Sequence, residues 1–315
     1  MTQTPVENAA PGRLTRTTGS SEASARALML LLAFAWGTMW IATAIALREV
    51  PPWTLRFASA SLGSATLFTA ALLSGHDLRL PRGERRHVFV AGFFNVAAFN
   101  MFAVFAQLSG ATSRVIIVTY SMPIWAALLS RFMLGERLNR TRTVALALCV
   151  AGLATLLWPQ IKHGVPLSLL LSLGCAFSWG FATVYIKWAK LTVEPITNAA
   201  WQLLYGALLL TVGMLIFEHY PRLWPLGAVS WIAVVYMGLL GVGLAHFLWW
   251  SIVSKLPATT AAIGALLVPV IGVFCSAFVL GERPTVADMI GFALIFAAAA
   301  CVLLSAGSKH GGLPD

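Results

Sequence analysis

The stretch PIWAALLSRFMLGER, residues 123–137, returns 146 residues later as PVIGVFCSAFVLGER, residues 269–283. In both, eleven mostly apolar residues separate a proline (Pro123, Pro269) from a glycine (Gly135, Gly281), and both close on Leu-Gly-Glu-Arg. A match of proline, spacing and terminator over that length reads as duplication. A second pair agrees: Ala33-Phe34-Ala35-Trp36-Gly37 and Ala176-Phe177-Ser178-Trp179-Gly180 stand 143 residues apart, as do Pro52 and Pro195, and Gly63 and Gly206. Gly92 and Gly238 are already 146 apart, so an insertion of three residues falls after the second apolar segment.

Composition sets the environment. Of 315 residues 59% are hydrophobic and only 10% charged, and the mean hydropathy is +0.82, which leaves too little polar surface for a soluble globule. Apolar runs of membrane-spanning length occupy 27–47, 52–74, 88–108, 111–133, 143–158, 167–188, 195–217, 229–252, 257–280 and 285–305. Continuous runs of this kind exclude a barrel, whose strands alternate over about ten residues. The expected fold is therefore an all-α integral membrane protein. Its ten transmembrane helices form two five-helix repeats, 27–158 and 167–305, between a mobile tail at 1–26 and a short one at 306–315. The first run ends on Ala44-Ile45-Ala46, which resembles a secretory cleavage site, but its repeat partner argues for a retained helix. Cys149, Cys175, Cys275 and Cys301 all lie in apolar runs without paired spacing, so neither disulfides, metal nor cofactor is expected.

The net charge of +10 does not point to nucleic acid, because the basic residues are sorted by loop. With both termini cytoplasmic, fifteen of the twenty-one Lys and Arg residues fall inside, as the positive-inside rule requires. Five helices per repeat is an odd number, so the second copy enters upside down. Loop charge agrees: the turn at Gly135 carries Arg131, Arg137, Arg140 and Arg142, and its counterpart only Arg283. Inverted repeats of this kind imply alternating access around a midplane site between the copies.

The five-plus-five plan, the Trp-Gly pairs at Trp36-Gly37 and Trp179-Gly180, and the Pro-to-Gly-Glu motifs resemble the drug/metabolite transporter superfamily, and within it the EamA-type exporters. The resemblance covers roughly residues 27–305. It implies a central cavity lined by helices one to four and six to nine, a bacterial inner-membrane location and, most closely, export of aromatic and other amino acids.

Polar and aromatic residues inside the spans are the candidate site. On helix three, Asn95 and Phe99 are four apart and share a face, while Asn100 and Gln107 share another; one of the two faces should line the cavity. Tyr120 on helix four would stack an aromatic solute, or else bond a neighbouring helix as a core residue. His246, at the position the repeat gives Asn100, would couple export to protons or serve as a packing histidine, with Trp249 one turn on. Trp40 and Trp179 line the cavity or anchor at the interface. Pro123 and Pro269 kink their helices as hinges or as packing devices. Gly135 and Gly281 would end helices in the left-handed conformation, leaving Glu136 and Glu282 near the start of the next helix. Lys187 would snorkel or meet a solute carboxylate at the inner mouth; Arg56 would do so outside, or touch a headgroup.

No acid lies mid-span, which demotes an exporter of organic cations to the second reading. Cations at membrane edges likewise disfavour a sugar-phosphate carrier. His-Glu-x-x-His and Gly-x-Ser-x-Gly are absent, so the chain is not read as an enzyme. The expected partners are amino-acid solutes and lipid, with no nucleic acid, and a fused pair of repeats suits a functional monomer.

Overall fold

The computed structural model describes residues 18–135, 140–158, 165–249 and 267–307, and among them every regular element is a helix. Helix α1 (Thr18–Ala46) begins inside the polar stretch expected to be a tail. No proline or glycine interrupts residues 20–36, so nothing in the chain stops the helix from extending toward its N-terminus. Helices α2 (Pro52–Leu73) and α9 (Pro195–Phe217) both open on a proline, where a missing N–H costs nothing.

The third span is continuous from Arg85 to Ser109 but changes pitch twice. It runs as α3 (Arg85–Gly92), a π segment (Phe93–Ala98) and α4 (Phe99–Ser109). A second long span repeats this plan, with α10 (Ala228–Tyr236), a π segment (Met237–Leu244) and a helical end at 245–249. The fourth span is broken between α5 (Thr112–Thr119) and α6 (Met122–Met133). The remaining elements are α7 (Arg140–Leu157), α8 (Leu167–Ala189), α11 (Leu267–Val279) and α12 (Val286–Gly307).

Five helical stretches among the described residues are long and apolar enough to cross a membrane: Arg85–Ser109, Thr112–Met133, Leu167–Ala189, Ile196–Phe217 and Ala228–Trp249. Shorter apolar helices lie at Leu30–Ala46, Thr143–Thr155, Val268–Val279 and Val286–Ala298. Helix α2, interrupted by Arg56 and several Ser and Thr residues, falls in neither group. The expected ninth run begins at 257, where residues 257–266 lie outside those described. Phe132 and Phe278, at corresponding positions, are 82% and 83% exposed, so large apolar rings face outward as a lipid-facing surface requires.

Packing joins the two halves of the chain. Helix α2 lies on α9, α1 on α11, α6 on α8, and α7 on α12. Gly37 admits the approach of α11: a Cβ there would stand 2.8 Å from Ile271 Cβ and 3.1 Å from the Val268 carbonyl. Gly180 plays the same part toward α6, where a Cβ would be 3.1 Å from Trp125 Cβ and 3.3 Å from the Met122 carbonyl.

Gly135 and Gly281 have φ of +68° and +69°, the left-handed helix ends that their place in the motif predicts. The acid that follows Gly281 goes elsewhere than expected. Glu282 lies not at the start of α12 but across the molecule at the start of α5. It accepts hydrogen bonds from the Thr112 N–H (2.6 Å) and the Ser113 N–H (2.8 Å). Asp288 reinforces the joint by pairing with the Arg114 guanidinium at 2.6 and 3.0 Å. Glu136 and Arg137 lie outside the described residues.

Other acids do the same work. Glu218, at the end of α9, accepts from the Trp53 and Thr54 N–H groups at 2.8 Å and from the Thr54 hydroxyl, covering the first turn of α2. Glu49 accepts from the Gly227 N–H ahead of α10 at 2.7 Å. Glu84 accepts from Thr192 and Val193 just before α9. The first N–H groups of a helix have no partner within it and carry the positive end of its dipole, so a carboxylate is the natural acceptor.

Glu282→Ala leaves two of these donors without a charged acceptor. It is expected to destabilise the fold by about 1–2 kcal/mol, read as a lower thermal midpoint in detergent, with Glu282→Gln falling between it and the parent.

Candidate functional site

Six rings converge where the helices of the two halves meet. Trp36 and Trp40 come from α1, Phe99 from the first turn of α4, Tyr120 from the end of α5, Trp179 from α8 and Trp249 from the helical end at 245–249. Trp179 is the hub. Its ring stands edge-on to Trp36 (6.1 Å, 85°), Phe99 (5.8 Å, 74°) and Tyr120 (5.9 Å, 86°). Trp36 also meets His246 at 6.1 Å and Trp249 at 5.8 Å, and Trp40 meets Phe99 at 6.4 Å. Edge-to-face contact sets the positive rim of one ring against the negative face of the next. A further flat aromatic group would find both kinds of surface here.

The backbone explains why these rings meet. Helix α5 ends at Thr119, and Tyr120 and Ser121 form a turn before α6 opens with Pro123 in its first turn. Proline has no N–H to give the Thr119 carbonyl, so the chain breaks where Tyr120 must turn inward. For Pro269, on α11, the preceding residues 250–266 lie outside those described. Helix α8 is pinned by side chains to the backbone of the third span. Ser178 Oγ donates to the Phe94 carbonyl at 2.7 Å and Cys175 Sγ to the Phe99 carbonyl at 3.2 Å. One acceptor lies within the π segment and the other immediately after it.

The two π segments govern the polar residues. Asn100 Nδ2 donates to the Val96 carbonyl and His246 Nδ1 contacts the Val242 carbonyl, both at 2.7 Å. The carbonyl can only accept, so Nδ1 of His246 carries the proton. Asn100 and His246 therefore make equivalent bonds, 146 residues apart, each to its own π segment. The wider turn also frees the Gly241 carbonyl for Trp36 Nε1 at 3.2 Å. The same two valines fill glycine gaps on the facing helices. A Cβ at Gly206 would fall 2.4 Å from Val96 Cβ, and one at Gly63 would fall 2.8 Å from Val242 Cβ.

Asn95 and Phe99, four residues apart, meet different neighbours. Asn95 lies within the π segment and turns to α9, where Nδ2 donates to Gln202 Oε1 at 3.0 Å, while Phe99 joins the rings. Asn95 and Asn100 thus bond to α9 and to their own span respectively. Gln107 reaches α1 and donates from Nε2 to the Trp40 carbonyl at 2.8 Å. Lys187 is exposed. Arg56 departs most from expectation: it faces neither headgroups nor water but is only 2% exposed. Trp36 belongs to the cluster as much as Trp179, and its place in the Ala-Phe-Ala-Trp-Gly motif was the signal for it. A cleft of about 620 Å³ between Leu78, Arg79, Arg85, Trp201 and Tyr205 lies at the loop before α3, among residues other than the rings. Among the described residues no group of His, Cys, Asp and Glu could hold a metal ion.

Comparison with known proteins adds a family. Residues 24–158 and again 166–304 match the EamA-like transporter family. An uncharacterized transporter of Bacillus subtilis, YoaV, is 27% identical over 82% of this chain and 90% of its own length. The aromatic amino acid exporter YddG of Ancylobacter novellus is 27% identical over 73% of this chain and 79% of its own. A probable amino-acid metabolite efflux pump of Salmonella typhimurium is 25% identical over 86% and 91%. A solved crystal structure superimposes with a TM-score of 0.64 at 26% identity, covering 92% of this chain and 99% of that one.

The valine-on-glycine contacts give a direct test of the π-segment packing. Gly206→Ala should cost about 1–3 kcal/mol by overpacking, seen as a lower thermal midpoint, and Val96→Ala in the same chain should recover most of the loss.

Proposed function

Because this chain belongs to the EamA-like transporter family, we propose that it exports neutral amino acids, aromatic ones and larger apolar ones such as methionine, from the bacterial cytoplasm by alternating access. One observation carries the reading: a cluster of tryptophan, phenylalanine and tyrosine rings built jointly by both halves of the chain. Such a cluster takes up an apolar or aromatic side chain by exchanging one edge-to-face contact for another. Two relatives named for amino-acid transport support the solute class. The absence of a mid-span acid weighs against an exporter of organic cations.

The architecture of this proposal is ten helices in two inverted repeats, with both termini in the cytoplasm. Its support is the exchange of equivalent contacts, Gly37 with α11 against Gly180 with α6, and Gly63 with Val242 against Gly206 with Val96. Two equivalent arrangements related by such an exchange are what alternating access needs. Tyr120, Asn95, Phe99, Asn100, Trp40, Trp179, His246 and Trp249 form the solute site in this reading. Pro123 and Pro269 act as hinges. All these residues come from one chain, so a monomer suffices.

Counterflow of labelled phenylalanine, tryptophan, methionine and threonine into proteoliposomes should exceed that of lysine and glutamate, and Tyr120→Ala should reduce it about tenfold, the loss of one well-packed ring contact with its burial. Flux of an organic cation with none of the neutral amino acids would overturn the proposal in favour of a drug exporter.

A further inference from the structure

Arg56 is a cation buried in the wall of the protein, without a counter-charge among the described residues. Its Nε and Nη1 are sealed from solvent and meet no acceptor among the described residues, and its Nη2 has only the Thr43 hydroxyl at 3.5 Å. A guanidinium in such a place is costly unless an anion joins it. Among the described residues no carboxylate does so: Glu49, Glu84, Glu218 and Glu282 accept from backbone N–H groups at or near helix starts, Asp77 from the Arg79 N–H, Asp288 pairs with Arg114 and Glu194 with His76. A bound solute that carries an anion would supply the missing counter-charge.

The same helix that Arg56 touches through Thr43 also holds a residue with an unmatched acceptor. Gln107 anchors its Nε2 on the Trp40 carbonyl, which leaves Oε1 buried and without a donor. Trp40 and Thr43 are three residues apart on α1, about 4.5 Å along the axis. Donors lacking an anion and an acceptor lacking a donor are thus tethered to adjacent points of the same helix. From Trp40 the ring contacts run on to Phe99 and Trp179.

We infer that Arg56 and Gln107 form a zwitterion subsite: the guanidinium takes the solute's α-carboxylate and Gln107 Oε1 its α-ammonium, with the side chain lying against Trp40 and Phe99. This rests on the proposed amino-acid reading and gives it a reason to be specific for amino acids among apolar solutes. The guanidinium is closed off in this conformation, so a carboxylate reaches it only in another state of the transport cycle.

The test uses four solutes with one aromatic group: phenylalanine, phenylalaninamide, 3-phenylpropionate and phenethylamine. The readout is the thermal midpoint of the purified full-length chain in detergent as each is titrated, alongside proteoliposome counterflow. The parent should bind phenylalanine at least tenfold more tightly than each of the other three. Arg56→Gln should abolish the preference over phenylalaninamide and keep part of the preference over 3-phenylpropionate. Gln107→Leu should do the reverse. That crossed pattern is one a merely structural role would not produce. If Arg56→Gln does not fold, Arg56→Lys must retain the carboxylate preference, and the Gln107 arm is read as before. Equal binding of the four by the parent, preferences unmoved by either variant, or no binding at all would overturn the subsite. A crossed pattern without phenylalanine flux would sink the export reading alone, and phenylalanine flux without the pattern would sink the subsite alone.

Discussion

The structure depends on carboxylates that close the N-termini of helices belonging to the other half of the chain. Glu218 sits on α2, Glu282 on α5 and Glu49 ahead of α10, each reaching more than 160 residues along the sequence. In a protein with so little polar surface, the first N–H groups of a helix have few acceptors to turn to. Supplying the acceptor from the opposite half satisfies the donors and fixes the relative position of two spans at once. This explains why the acids gather at helix ends. They are used as joints, and the interior is left to rings, hydroxyls and amides.

Those joints hold a scaffold whose interior is deliberately irregular. The π segments at Phe93–Ala98 and Met237–Leu244 occupy corresponding places, and each offers carbonyls that an ordinary helix would keep for itself. Trp36, Asn100 and His246 use them. The broken span at Tyr120–Ser121 is a third irregularity of the same kind. The aromatic cluster lies among all three, so the positions of its rings follow from departures from regular helix rather than from its period. Irregular backbone of this sort is tolerated at membrane depth where protein surrounds it.

Much of this was legible beforehand, and what was not has a physical cause. The glycines at 135 and 281 announced helix ends because only a residue without Cβ takes φ near +70° freely. The rings at 36 and 179 stood out through their shared motif. Asn95 and Phe99 stand one turn apart yet meet different neighbours, Gln202 of α9 and the ring cluster, because which helix packs where is set by the tertiary arrangement rather than by their spacing. Arg56 was assigned to the membrane edge because one turn from Pro52 is near a helix end. Burial of that turn depends on how α2 packs against α9, α10, α4 and the second π segment, which no local pattern records. The partner of Glu282 was equally invisible: an acid after a glycine stop points to the nearest helix start, and the one it serves is 170 residues away in sequence.

That separation bears on how the protein is made. A ribosome delivers α5 to the bilayer long before residue 282 exists, so the first turn of that helix enters the membrane with its donors uncapped. Helix α2 waits in the same way for Glu218. The first half is therefore an incomplete object during synthesis, inserted but not settled, and the arrival of the second half is what completes it. A chain cut between the two would lose half its helices and also the acceptors its remaining helices were built to receive.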